Sequence, residues 1–267
     1  NGQYRICKLL ICAMRRLLPL AGATLLIAAA GGASGQQAGV GSIITRAMFE
    51  SMLNHRGDQG CQGAFYTYDA FIKAAGDFPR FGTTGNDETR RRELAAFFGQ
   101  TSHETTGGWA TAPDGPFAWG YCRVNEITPS EPPYYGRRPY TLLISTTTSY
   151  RGPLGLELVN NPDLVSRTPW WVFRTPICFW MTAQSPKPLC QDVITNQWTP
   201  SGDDRLREVP GYGMPTNIIN GGEECGKGYS TDNAKDRVGY YKRYCDMFRV
   251  GYGDNIACRD QKPYGGG

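Results

Sequence analysis

The chain has 267 residues, of which 40% are hydrophobic and 19% are charged, values typical of a globular protein that buries a substantial core. Its formal net charge of +4 comes from four basic residues in the first 35 positions, a stretch without any acid. Because the rest of the chain carries as many basic as acidic residues, its charge favours neither a nucleic acid nor an anionic membrane as a partner.

The first residues have the pattern of a targeting segment. Met14, Arg15 and Arg16 precede an apolar run over 17–30 and the small residues at 33–35, which is the three-part pattern of a secretory signal peptide. We therefore predict an upstream extension at 1–13, a signal peptide at 14–35 and a single domain at 36–267. The predicted location is extracellular.

The cysteine pattern agrees with secretion. Of nine cysteines, Cys7 and Cys12 precede the predicted cleavage point, and the remaining seven are expected to lie mostly in disulfides. No CxxC pair is present, and only His55 and His103 supply imidazole. We therefore expect no metal site, no cofactor and no Ser/His/Asp triad.

The spacing of apolar residues predicts a mainly α single domain made of helices joined by long loops. Short helices are predicted at 43–53 and 66–75, and a loop at 78–88. A longer helix is predicted to begin at Asn86, Asp87 and Glu88 and to end between Thr105 and Gly108.

The second half of the chain is predicted to contain further helices. They are expected at 172–182, interrupted by Pro176, then at 192–198 and at 232–248, while 216–220 leads into two glycines. Between the halves, 111–139 is predicted to be irregular, with exposed rings at Trp119, Tyr121, Tyr134 and Tyr135.

Two carboxylates bracket a stretch rich in Gly, Trp and Thr. Glu104 is predicted at the C-terminal end of the long helix, where the helix dipole and partial burial favour its protonated form. Glu126 follows in polar, irregular sequence, where it should stay ionised. Two acids with unequal proton affinities are the pattern of glycoside hydrolysis.

Five segments carry a resemblance to a known family: SHETTGGWATAPDGPFAWGYC, NNPDLV, FWMTAQSPKP, GYGMPTNIINGGEECGKG and DRVGYYKRYCDM. They are similar to motifs of the plant family 19 chitinases, here without an N-terminal chitin-binding module, and the likeness extends from residue 42 to the C-terminus. It implies a lysozyme-like, two-lobed, mainly α fold with a cleft for chitin. The implied reaction is endo-hydrolysis of β-1,4 N-acetylglucosamine links with inversion, by a monomer.

The resemblance also implies roles for individual residues. Glu104 corresponds to the general acid and Glu126 to the general base, while Asn220, Glu224 and Arg237 hold the acid and the sugar in place. The implied disulfides are Cys61–Cys122 and Cys225–Cys258. The remaining residues expected to bind or support the substrate are His103, Trp119, Tyr135, Thr141 and Lys187.

One segment departs from the family pattern. After YYGR the family has a Gln, a hydroxyl residue and an Asn that bind sugar and position water, and Thr141, Leu143 and Thr147 replace them here. A family-like LTHKYNYQ read one base later gives the LLISTTTS found at 142–149, so the segment 138–175 is either genuine or the product of a frame shift. Two hypotheses follow: an endochitinase impaired by the altered segment 138–153, or a catalytically silent protein that binds chitin oligosaccharides.

Other patterns have simpler interpretations. Arg90, Arg91 and Arg92 fit a solvated helix face, and His103 fits a packed, hydrogen-bonded histidine. The run 221–227 imitates a phosphate-binding loop in spacing, but Gly228 stands where Ser or Thr is needed and Glu223 and Glu224 would repel phosphate. Trp109 and Trp119 are equally consistent with core packing and with stacking on sugar.

Overall fold

A computed structural model of the chain describes residues 39–106, 109–123, 168–201 and 209–264. The predicted leader at 1–35, the segment 138–153 and the predicted site residues Glu126, Tyr135 and Thr141 lie outside these ranges.

The described residues form helices without any β-strand, which confirms the predicted mainly α class. The helices are α1 (Arg46–Met52), α2 (Tyr68–Ala75), α3 (Asp87–Thr105), α4 (Pro169–Trp180), α5 (Cys190–Ile194), α6 (Gly213–Glu224) and α7 (Asp232–Phe248). Short 3₁₀ turns lie at Val40–Ser42, Gly63–Phe65 and Pro116–Ala118. Within the same ranges no helix is both long and apolar enough to cross a bilayer.

Helix α3 is the axis of the fold, and both of its predicted ends are confirmed. The side chain of Asn86 accepts a hydrogen bond from the Thr89 amide at 2.9 Å, which satisfies one of the free donors of the first turn. Asp87 and Glu88 add negative charge at the positive end of the helix dipole. From Glu93 to Ser102 every residue is buried, so this stretch of α3 runs through the core.

Helix α7 packs along α3 at close range. A Cβ on Gly99 would lie 2.7 Å from the Tyr212 hydroxyl and 3.0 Å from the Cα of Tyr241, so only glycine permits this approach. The Ser102 and Tyr244 hydroxyls are hydrogen-bonded at 2.7 Å one turn further along. The predicted bounds of α7 are confirmed, and its N-cap is Thr231.

On the other side of α3, an aromatic layer joins α1, α2 and α4. The rings of Phe49, Phe71 and Phe173 pack against one another with centroids 5.4–6.1 Å apart, and Phe71 also meets Phe98 of α3. These buried rings supply most of the hydrophobic stabilisation at this interface.

The structure corrects three predictions about the helices. Helix α4 continues through Pro176 without interruption, and the short helix predicted at 192–198 instead ends at Ile194. Helix α6 was not predicted, because Gly213, Pro215 and Gly221 are poor helix formers. Burial of nine of the twelve residues of α6 stabilises it instead.

Two disulfides fix the loops around this core. Cys61–Cys122 ties the loop after α1 to the loop after α3, and Cys225–Cys258 ties the end of α6 to the C-terminal segment. Both are the pairs that the resemblance implied. Cys190 and Cys245 are buried free thiols.

Candidate active site

Glu104 lies in the last turn of α3, as predicted, and reaches the surface only in part. Its side chain is 19% exposed, while the Arg237 side chain that it contacts is 1% exposed. The Nη2 atom of Arg237 lies 2.6 Å from Oε1 of Glu104. The carboxylate therefore contacts a buried cation, while part of the Glu104 side chain remains accessible to solvent.

Arg237 is shared between Glu104 and a second carboxylate. Its Nε donates to Oε2 of Glu224 at 2.9 Å and its Nη2 donates to Oε1 of Glu224 at 2.8 Å, which is a bidentate pair. The Glu224 side chain is also only 1% exposed. A buried pair with this geometry requires that both partners stay charged.

The pKa values of this pair follow from the contacts. Burial alone would raise the pKa of Glu224, but the hydrogen bonds and charge of Arg237 outweigh it and lower the pKa. Burial alone would lower the pKa of Arg237, but Glu104 and Glu224 outweigh it and raise the pKa.

Asn220 and Gln100 complete the network. Asn220 interrupts the regular geometry of α6 with φ −141° and ψ 38°, and its Nδ2 donates to Oε1 of Glu224 at 2.8 Å. Gln100 accepts a hydrogen bond from Nη1 of Arg237 at 2.9 Å. The structure thus brings together Glu104, Asn220, Glu224 and Arg237, and it adds Gln100, which sequence reasoning missed.

His103 and Lys187 have structural partners. Nδ1 of His103 lies 2.6 Å from Oδ2 of Asp236, the residue before Arg237, so this pair links α3 to α7 beside the acid. Lys187 donates to the Ile218 carbonyl oxygen of α6 at 2.8 Å, and burial lowers its pKa. A hydrogen-bonded His103 agrees with the simpler interpretation of that residue.

Trp119 belongs to a separate cluster on the loop after α3. His55 stacks on Trp119 with ring centroids 4.1 Å apart and planes 4° apart, and Asp114 accepts from the indole at 3.0 Å while also contacting His55. Burial would lower the pKa of His55, but hydrogen bonds to Asp58 and Asp114 outweigh it and raise the pKa. Trp109, 43% exposed, meets Trp119 edge-on at 4.7 Å.

Tyr121 does not present an exposed ring, and the prediction that it would is wrong. The residue is fully buried, and its hydroxyl is hydrogen-bonded to Thr101 at 2.6 Å. Its backbone has φ 62°, an uncommon value for a residue with a side chain. No sequence signal distinguished this tyrosine from the other rings that were predicted to be exposed.

The loop that leads toward Glu126 is fastened to the end of α3. The Tyr121 amide donates to the Thr105 hydroxyl at 2.8 Å, and the Arg123 amide donates to the Thr105 carbonyl oxygen at 2.9 Å. A Cβ on Gly120 would lie 2.4 Å from the Ser102 hydroxyl, so the loop lies directly against the helix. The chain up to Arg123 is therefore fixed next to the turn that carries Glu104.

The site contains no metal-binding constellation in the described part of the chain, where no group of three or more His, Cys, Asp or Glu side chains could hold an ion. What the described residues offer is a partly exposed carboxylate, a buried cation that contacts it and a rigid support. Such an arrangement suits proton transfer to a bound substrate.

Comparisons with known proteins identify the family. The sequence profile described as chitinase class I, of glycoside hydrolase family 19, matches residues 43–258. Chitinase 11 of Oryza sativa subsp. japonica is 88% identical over 95% of this chain and 100% of its own length. Inactive chitinase-like protein 1 of Hevea brasiliensis is 54% identical over 88% of this chain and 81% of its own length.

A solved structure supports the same assignment. The family GH19, class IV chitinase from Zea mays has a TM-score of 0.56 and 27% identity, covering 81% of this chain and 98% of that one. Given the profile match and these relatives, the chain belongs to the chitinase class I family, glycoside hydrolase family 19, and is a glycoside hydrolase.

Proposed function

We propose that the domain at 36–267 hydrolyses β-1,4-linked N-acetylglucosamine polymers at internal bonds, with inversion of configuration. Glu104 is the general acid and Glu126 the general base. As the bond between the anomeric carbon and the glycosidic oxygen breaks, the Glu104 proton passes to the leaving oxygen. A water attacks the opposite face of the sugar and gives its proton to Glu126.

The observation that carries this proposal is the unequal sharing of Arg237. Glu224 accepts charge-assisted hydrogen bonds from Nε and Nη2 of Arg237, while Glu104 contacts Nη2 at 2.6 Å and keeps 19% of its side chain exposed. The Glu104 carboxyl group is thereby fixed at the surface. Fixing the donor in place is itself a large part of catalysis.

Chain connectivity supports the role of Glu126. Arg123 is hydrogen-bonded to Thr105, the neighbour of Glu104, and Glu126 follows three residues later. Three residues of chain span at most about 11 Å. An inverting pair requires about 6.5–9.5 Å between its carboxyl groups, a separation within this reach.

A silent chitin-oligosaccharide binder is the second candidate. Its support is the replacement of three water- and sugar-positioning residues by Thr141, Leu143 and Thr147, together with the similarity to a relative named as inactive. Such a protein would bind the oligosaccharide without cleaving it.

Turnover of a chitin hexasaccharide decides between the two. The chain as written, Glu104→Gln, and a version with the family segment restored at 138–153 are compared, and binding is measured by calorimetry. The enzyme proposal expects internal cleavage that falls at least about 10³-fold in Glu104→Gln while binding persists. Binding without cleavage by the chain as written, with cleavage only after restoration, would support the silent binder.

We further propose that the protein is secreted and acts as a monomer on chitin outside the cell. The two disulfides support this location, because such bonds persist mainly in oxidising compartments. Detection of the mature chain, beginning near residue 36, in the extracellular fraction would test it.

A further inference from the structure

We infer that Gln100 is a positioning residue for Glu104, acting through Arg237; the inference rests on the proposed role of Glu104 as the acid. Gln100 and Glu104 stand one turn apart on α3, so both face the same guanidinium of α7. Nη1 of Arg237 donates to Oε1 of Gln100 at 2.9 Å, and Nη2 lies 2.6 Å from Oε1 of Glu104.

The orientation of the Gln100 amide is determined by Arg237. The Nε2 of Gln100 donates to the Thr216 hydroxyl of α6 at 2.9 Å, while its oxygen accepts from Arg237. The reversed amide would place two N–H donors against a guanidinium that has only donors. Thr216 anchors the amide nitrogen of Gln100, and the amide oxygen in turn holds Arg237.

The guanidinium is held along two edges. Glu224 binds the edge formed by Nε and Nη2, and Gln100 binds Nη1 on the other side. With Glu224 alone, the planar group could tilt about its bidentate pair and carry Nη2 away from Glu104. The third contact removes this freedom.

Water cannot replace Gln100 in this role. Gln100 is 2% exposed, Arg237 1% and Thr216 3%, so solvent does not reach Nη1. Neutrality also matters: a carboxylate at this position would compete with Glu104 and Glu224 for one buried cation. A glutamine offers an acceptor without adding charge.

The test compares Gln100→Met, which keeps the volume but removes the acceptor, with Gln191→Met. Gln191 is fully buried and, within the described part of the chain, makes no hydrogen bond to the Arg237 network; it donates a hydrogen bond to the Arg80 carbonyl oxygen at 2.6 Å. We expect Gln100→Met to lower kcat about 10- to 100-fold, the effect of losing a hydrogen bond to a charged group, with KM within about twofold. Thr216→Val should lower kcat in the same direction by a smaller factor.

Gln191→Met should lower the Tm by about as much as Gln100→Met does, but it should leave kcat and the pH profile of kcat unchanged. The high-pH limb of the kcat profile, which reports deprotonation of the general acid, should move to higher pH in Gln100→Glu, where a third carboxylate faces Arg237. If Gln100→Met loses activity only in proportion to its loss of folded protein, as Gln191→Met does, the positioning role is wrong. If Glu104→Gln is fully active, the proposed function fails instead.

Nuclear magnetic resonance of the arginine side chains gives a readout that does not require turnover. The Nη protons of a guanidinium held along both edges should be resolved and slow to exchange in the unaltered protein. In Gln100→Met the two Nη1 protons should merge as rotation about the Cζ–Nη1 bond becomes faster, while Gln191→Met should keep them separate. Unchanged Arg237 signals in Gln100→Met would overturn the inference even for a catalytically silent chain.

Discussion

Replacing Arg237 by methionine should destabilise the protein, because it breaks the buried ion pairs of the candidate active site. The substitution keeps a long side chain but removes the cation between Glu104 and Glu224, leaving at least one fully buried carboxylate without compensation. Breaking a buried ion pair by removing one partner costs about 3–5 kcal/mol. For a domain of this size that corresponds to a fall in Tm of roughly 6–20 °C.

The pH dependence of this loss has a definite sign. Because the pKa of Glu224 is lowered in the folded chain, the pair stabilises the protein fully above the unfolded value near 4.5, and this contribution is lost as pH falls through the folded value. The difference in the free energy of unfolding between the unaltered protein and Arg237→Met should therefore be largest at neutral pH and become smaller in acid. Urea unfolding at pH 3.5, 5 and 7 measures it.

A double-mutant cycle tests the reasoning. Glu224→Gln in the Arg237→Met background removes the uncompensated charge, so the double variant should regain about half of the lost stability, a coupling of about 2 kcal/mol. Losses that add to within about 0.5 kcal/mol would mean that the two residues do not interact energetically. That result would refute the ion pair as the support of Glu104.

Three further predictions concern the core and the loop. Burial raises the pKa of Glu93 to about 8. The stabilising contribution of Glu93 is therefore complete below its pKa in the unfolded chain and is lost as pH rises toward 8. Glu93→Gln should abolish this decline in the free energy of unfolding between pH 5 and 8. Gly120→Ala should destabilise the protein by about 1–3 kcal/mol in thermal unfolding, since the new Cβ would lie 2.4 Å from the Ser102 hydroxyl oxygen. Pro176→Ala should stabilise the protein by about 1–2 kcal/mol. A proline inside a helix costs about 3 kcal/mol, but the smaller alanine leaves a cavity that offsets part of the gain.

Each of these has a contrasting result. If the free energy of unfolding changed equally with pH in the unaltered protein and in Glu93→Gln, Glu93 would have to be ionised when buried. Gly57→Ala, whose Cβ would meet nothing closer than 3.8 Å, should be far milder than Gly120→Ala, and equal effects would count against close packing of the loop. Pro169→Ala, at the start of the same helix where proline is tolerated, should give no gain, unlike Pro176→Ala.

Local signals in the sequence predicted the two long helices well. Asn86 followed by two acids sets the start of α3, and the helical period of apolar residues sets the bounds of α7. Such signals involve residues within a few positions of one another, so they are readable without the fold.

The missed features depend on residues that are distant in the chain. Gln100 and Arg237 are separated by 137 positions, and their hydrogen bond exists only because α3 and α7 pack together. Helix α6 contains Gly213, Pro215 and Gly221, so its formation rests on tertiary burial that propensity does not record. The burial of Tyr121 likewise follows from the path of the loop across α3.

The family motifs predicted Glu104, Asn220, Glu224 and Arg237 as site residues, whereas the structure shows how these side chains contact one another. Arg237 turned out to be a buried bridge between two carboxylates.

The anomeric form of the first product tests the central proposal most directly. Proton resonance spectra recorded within minutes of mixing the protein with a chitin hexasaccharide distinguish α from β reducing ends before they interconvert. The proposed pairing of Glu104 with a base across a water predicts the α form, and no product from Glu104→Gln. Release of the β form, or undiminished cleavage by Glu104→Gln, would contradict it.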